Sequence, residues 1–235
     1  MTAPDPAFSY DAIADAYAEG IDSRPYNALY ERPAMLSLLP EVDGARVLDA
    51  GCGAGWYAQQ LIARGARVTA IDGSAEMVSH ARQRMGGAAD VRVADLGQPL
   101  AFAEDVSYDG VLSALVVHYV RDLRPVFSEF RRVLKPGGWL LFSTHHPAAE
   151  AARMQPARYL DVEAVEEEWD WVGTVRFFRR PISDIVNSLA DAGFGIERMV
   201  EPVPTDAFRQ LKPDAYEQQL RQPNFLLVLA RPWIR

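Results

Sequence analysis

The stretch "RVLDAGCGAG", Arg46 to Gly55, decides the fold. Its first half is apolar and β-branched with one acid, Asp49, and reads as a buried strand. Gly51, Gly53 and Gly55 then follow at alternate positions, where the strand gives way to a helical pattern. Glycines at such a junction let backbone N–H groups approach a ligand with no Cβ in the way and a helix N-terminus behind them.

Working outward, the same strand-then-helix alternation recurs. Strands are read at "RVLDA" (46–50), "RVTAI" (67–71), "VRVAD" (91–95), "DGVLSAL" (109–115) and "WLLFST" (139–144), each apolar enough to be covered on both faces. Between them, Tyr57, Ala58, Leu61 and Ile62 recur at helical spacing before a stop at Gly65. Ser74 is the N-cap of a helix through about Met85, and Asp122 that of another whose stripe is Val126, Phe127, Phe130, Val133 and Leu134, ended by "KPGG" (135–138). Residues 1–45 read as one or two helices carrying Tyr10, Tyr17, Tyr26 and Tyr30. Residues 147–182 interrupt the alternation with a partly alternating segment, more hairpin than helix. A helix from about Ser183 to Gly193 and strands at 195–200 and 224–230, separated by one short helix around Tyr216, complete the chain. The pattern predicts an α/β fold in a single domain spanning residues 1–235.

The bulk composition narrows the function. Hydrophobic residues are 49% and charged residues 24% of 235, as in an ordinary globular protein, and the net charge of −8 gives no electrostatic footprint for nucleic acid. One cysteine, Cys52, cannot pair within the chain, and "MTAPDPAFSYDAIADAYAEG" has acids and prolines where an export signal needs a basic patch and an apolar run. No apolar run approaches the roughly 20 residues of a membrane span. These features predict a cytoplasmic protein with no nucleic-acid or membrane partner.

Three nucleotide ligands suit a glycine loop, and spacing separates them. The dinucleotide fingerprint G-x-G-x-x-G would set its third glycine on Trp56, whose indole obstructs close helix–strand packing. A triphosphate loop needs a lysine, and "GAGWYA" has none. Asp72 closes the second strand, where a carboxylate accepts from ribose hydroxyls, and Asp95 closes the third, where with the Leu96 N–H it can read an adenine edge. Asp49 would repel a pyrophosphate but suits an ammonium or sulfonium. Carboxylates at three successive strand ends favour a positively charged nucleoside.

"VLDAGCGAG", "IDGS", "VADL", "YDGVLSALVVHYV" and "FRRVLKPGGWLLFSTHHP" together resemble, in order and spacing, the motifs of class I S-adenosylmethionine-dependent methyltransferases of the small-molecule, ubiquinone-biosynthesis-like group, over roughly residues 44–146. The resemblance implies a Rossmann-like, seven-stranded, mostly parallel sheet with one antiparallel strand and helices on both faces, and S-adenosyl-L-methionine as cofactor. It implies that Gly51, Gly53 and Gly55 face the methionine part, Asp72 the ribose, Asp95 and Leu96 the adenine, and Ser113 and Ala114 the sulfonium, with Gly73 and Met77 also binding cofactor. It further implies that residues 1–45 form a lid over a cofactor-binding half (46–146), that 147–182 covers substrate, and that 183–235 supplies the last helix and two strands.

Acceptor chemistry is expected just beyond strands four and five, outside the carboxyl ends of the sheet. There lie His118, His145 and His146, candidates for the base that removes a proton from an O or N nucleophile, one of the adjacent pair serving instead to position the loop before Pro147. His80 falls mid-helix and reads as solvent-facing. Tyr17, on the lid, is a candidate to line the reaction chamber, and Arg32 a candidate for the cofactor carboxylate. "EAVEEEWDWVG" (163–173) offers Trp169 or Trp171 to a cationic or aromatic substrate, although its composition favours a solvated hairpin packed on the sheet. Cys52, between loop glycines, reads as structural, and no metal site is expected. The function expected is methyl transfer to a small molecule by a monomer or homodimer. Alternatives are a protein or nucleic-acid methyltransferase, a noncatalytic S-adenosylmethionine-binding protein and, more remotely, a nicotinamide oxidoreductase.

Overall fold

The computed structural model describes residues 14–155 and 158–233; Tyr10 lies outside them. Its core is a seven-stranded sheet built from β1 (Arg46–Ala50), β2 (Arg67–Asp72), β3 (Asp90–Val93), β4 (Tyr108–Ala114), β5 (Leu134–His145), β8 (Phe194–Val200) and β9 (Phe225–Pro232). The order is β3-β2-β1-β4-β5-β9-β8, with β1 to β5 parallel and β9 antiparallel to both its neighbours. The strand order reverses beside β1, where β2 and β4 flank it and a crevice opens at the carboxyl ends.

Period-two alternation sends successive residues of each strand to opposite faces. Val47 of β1 and Leu141 of β5 join α2 (Arg32–Leu38), α3 (Trp56–Ile62) and α4 (Ala75–Met85) on one side. Leu48 and Leu140 face α5 (Leu123–Val133) and α7 (Ile182–Asp191) on the other, against Phe127, Phe130 and Leu189. Both caps read from the sequence are made: Ser74 accepts from the Met77 N–H at 3.1 Å and Asp122 from the Arg124 N–H at 3.1 Å. Before α2 come α1 (Ala14–Gly20), whose Ala14 and Tyr17 pack with Ala54 and Met77, and a π-helical turn (Asn27–Glu31).

Four boundaries differ from the sequence reading. β3 stops at Val93, so Asp95 sits in the following turn and accepts the Gly97 N–H at 2.8 Å, an Asx arrangement that competes with the strand ladder. β5 begins at Leu134 and carries "KPGG" within it, because Leu134 already pairs with Tyr108 and the register shift before Gly110 absorbs the proline and glycines. The 147–182 interruption opens with a helix, α6 (Pro147–Met154), before the expected hairpin of β6 (Glu163–Trp169) and β7 (Gly173–Arg179). Before β9 stand two helices rather than one, α8 (Asp206–Leu211) capped by Thr205 and α9 (Pro213–Arg221) opened by Pro213. Among the described residues no helix is long and apolar enough to cross a membrane.

Candidate active site

The glycine loop after β1 takes left-handed backbone at all three glycines, with φ of +82° at Gly51, +51° at Gly53 and +84° at Gly55. Their surroundings divide the work among them. A Cβ on Gly53 would meet nothing within 4 Å, whereas one on Gly51 would lie 2.3 Å from Val116 and one on Gly55 3.2 Å from Ala81 and Met85. Gly53 thus borders open space, Gly51 admits the loop after β4, and Gly55 admits α4. Cys52 is buried between them as a small packing residue.

Asp72 organises this loop, accepting the Gly53 N–H at 2.8 Å and the Ser74 N–H at 2.9 Å. Asp49 is 1% exposed, its Oδ2 has no partner, and burial pushes its carboxyl up to about 7. Ser113 turns its hydroxyl away into the sheet, donating to the Ala50 carbonyl at 2.9 Å, so it ties β4 to β1. Met77 is buried with Ala54 beneath Ala14 and Tyr17 of α1, while Gly73, Asp95 and Leu96 lie along the rim after β2 and β3. α1 and the turn after it are held by His80 on Asp15 at 2.8 Å and Arg84 on Asp22 at 2.7 Å, and Arg32 joins Asp22 at 3.2 Å and stacks on Trp56. His80 is therefore a contact of α1 rather than simply solvent-facing.

A cavity of about 620 Å³ opens beyond β4 and β5, and its walls include Tyr17, Leu115, His118, His145, Trp169 and Trp171. His145 Nδ1 lies 3.0 Å from Glu150 Oε1, a carboxylate 4% exposed in the first turns of α6. His118 stacks face to face on His145, ring centres 3.9 Å apart, and burial holds its imidazole well below the usual pKa, hence neutral. His146 is not on the wall. Its Nδ1 accepts the Ala148 N–H at 3.1 Å and its Nε2 meets Glu201 at 2.7 Å, so it caps α6 and the base candidates reduce to His145 and His118. Trp171 stacks on Tyr17 at 5.3 Å and carries the Arg24 guanidinium at 4.0 Å. Trp171 thus packs on α1 with Trp169 stacked behind it, and the two-stranded sheet has no hydrogen-bonded continuation into the main one.

Residues 48–142 match the family described as "Methyltransferase domain". The crystallised S-adenosylmethionine-dependent methyltransferase from Mesorhizobium loti is 32% identical and superposes with a TM-score of 0.74, covering 90% of this chain and 100% of that one. The chain belongs to the S-adenosylmethionine-dependent methyltransferases. Among other relatives, the Malonyl-(acyl-carrier protein) O-methyltransferase of Erwinia pyrifoliae is 40% identical over 136 residues, 57% of this chain and 51% of that one. The Ubiquinone biosynthesis O-methyltransferase of Xanthomonas euvesicatoria is 36% identical over 143 residues, 58% and 59% of the two chains. The matched stretch thus spans little more than half the length of these curated relatives.

The cofactor of this methyltransferase is S-adenosylmethionine, and the residues present fit it. The buried, unpartnered Asp49 Oδ2 and the open space over Gly53 are what a cationic ligand pressed against backbone would use. Two residues escape sequence reasoning. Glu150 could have been found as a carboxylate in the first helical turn after His145–His146, whereas Glu31, 1% exposed on the π turn, carries no local signal for its burial.

Proposed function

We propose that this methyltransferase moves the methyl group of S-adenosylmethionine to an oxygen, nitrogen or carbon nucleophile of a small molecule seated in the cavity, with His145 as general base. The observation that carries the reading is the His145–Glu150 pair on the cavity wall. A carboxylate on Nδ1 selects the tautomer whose Nε2 lone pair is available, and among the described residues that nitrogen has no protein partner. Nε2 takes the proton of an acceptor hydroxyl or ammonium, and Glu150 stabilises the imidazolium that results.

When bound, S-adenosylmethionine supplies an electrophilic methyl on a sulfonium. Asp49 and the Gly51–Gly53 backbone would hold its charged end, Asp72 with Gly73 the ribose, Asp95 and Leu96 the adenine, and Met77 would lie beneath. Ser113, its hydroxyl committed to Ala50, serves as backbone together with Ala114. Tyr17 closes the chamber from the lid, which with the hairpin excludes water. The relatives named as O-methyltransferases favour an oxygen acceptor. A lone, buried cysteine suits a reducing, cytoplasmic setting.

Calorimetry should register S-adenosylmethionine and not NAD(H); the reverse would end this reading. In an acceptor screen followed by S-adenosylhomocysteine release, His145→Ala should cut turnover by about 10²- to 10⁴-fold with cofactor affinity retained. His146→Ala should instead lower stability by roughly 1 kcal/mol, the loss of a cap. Equal turnover in wild type and His145→Ala removes His145 as base.

A further inference from the structure

Glu31 lies outside the mechanism above, yet its carboxylate is buried, 1% exposed. It ends the π turn that follows α1 and reaches the plane between the glycine-loop helix and the top of β5. The Tyr57 hydroxyl, one residue into α3, donates to Oε2 at 2.8 Å, and the Ser143 hydroxyl of β5 donates to Oε1 at 2.6 Å. The same Ser143 Oγ accepts the Leu115 N–H at 3.0 Å, a hydrogen bond that N–H shares with the Ser143 carbonyl at 3.1 Å. Leu115 has φ of +54°, a left-handed backbone that a branched side chain adopts only when its surroundings compel it. Leu115 lines the cavity, and its neighbour Val116 fills the space a Cβ on Gly51 would need.

We infer that Glu31 is a positioning residue: through Ser143 it holds Leu115 in its strained conformation and through Tyr57 it holds α3, setting the spacing between glycine loop and acceptor wall. The inference rests on the proposed function in taking loop and cavity as two halves of one site. The arrangement uses both oxygens of a carboxylate. Two hydroxyls donate to this group, one oxygen each, while the Ser143 Oγ spends a lone pair on the Leu115 N–H. An amide offers a single acceptor oxygen beside a donor NH2, so Glu31→Gln leaves one of the two hydroxyl protons without its acceptor. Alignment to a few tenths of an ångström is what an in-line displacement demands of its enzyme.

The test uses the full chain as wild type, Glu31→Gln, Ser143→Ala and Ser143→Thr, and reads residue-resolved amide exchange together with S-adenosylmethionine affinity by calorimetry. In Glu31→Gln and Ser143→Ala the Leu115 amide should exchange at least tenfold faster while Leu112 and Leu141, in the strands beside it, keep their protection. Cofactor affinity should fall about threefold to tenfold, and Ser143→Thr, which keeps the hydroxyl, should restore both. Leu115 protection unchanged, or lost in step with Leu112 and Leu141 as a merely structural contact would produce, overturns the inference, as does unaltered affinity. Wild-type protein that binds no S-adenosylmethionine overturns the functional reading instead, and the exchange data then still decide whether the brace exists. Should Glu31→Gln fail to fold, the Ser143 pair carries the same decision.

Discussion

A carboxyl group as enclosed as that of Asp49 is costly to ionise, and burial shifts its pKa from 3.8 to about 7. An acid whose folded pKa is raised favours the folded state below its unfolded pKa and loses that contribution as pH climbs through the folded value. The protein without cofactor should therefore lose stability relative to Asp49→Asn between about pH 4 and pH 7, measurable as diverging melting temperatures. A cation placed beside Asp49 restores the ionised form, so binding of S-adenosylmethionine just below pH 7 should release a proton, read as a dependence of calorimetric heat on buffer ionisation enthalpy. Asp49→Asn should abolish that dependence, and identical proton release in the variant would show that another group titrates. The burial of Asp49 was legible from its place in an apolar strand beside the glycines. That of Glu31 was not, since its partners come from α3 and β5.

Elements whose signals are local were readable almost to the residue. Ser74 and Asp122 cap the helices expected of them because a cap is a contact between a residue and the N–H groups two or three positions on. The bounds of β5 depended on long-range pairing, which local propensity does not report, whereas the two helices before β9 carried the local signals of Thr205 and Pro213. The lid and hairpin show the same division. Alternation predicts β6 and β7, but the seating of Trp171 on Tyr17 and Arg24 joins segments far apart in sequence. Trp171→Ala should remove roughly 1 kcal/mol of aromatic contact from this closure. Amides of α1 are then expected to exchange about fivefold faster while those of β1 and β4 stay protected. Unchanged exchange in α1 would mean that the His80 contact and the Arg84 ion pair hold this segment unaided.

At the scale of the whole molecule, the crevice exists because β2 and β4 leave β1 on opposite sides, and both halves of the site hang from that divergence. A ligand bound only by the assembled crevice stabilises the entire fold. At a hundredfold excess over its Kd, S-adenosylmethionine should add about 2.7 kcal/mol and raise the melting temperature by roughly 5–10 °C. Asp72→Ala, which loses the proposed ribose contact together with the anchor of the Gly53 and Ser74 N–H groups, should forfeit most of that rise. A full rise in the variant would remove Asp72 from the site. The amino-acid sequence alone determined the α/β class, the order of strands and helices through the first five strands, and the cofactor class, because glycine spacing, strand-end acids and caps act over a few residues. Only the tertiary structure decided which histidine caps a helix and which faces the cavity, that Glu150 pairs with His145 and Glu31 with Tyr57 and Ser143, and that Trp171 of the hairpin packs on α1. Those outcomes depend on burial and on partners supplied by distant segments, and a side chain's burial is a property of the packed molecule rather than of its neighbours in sequence.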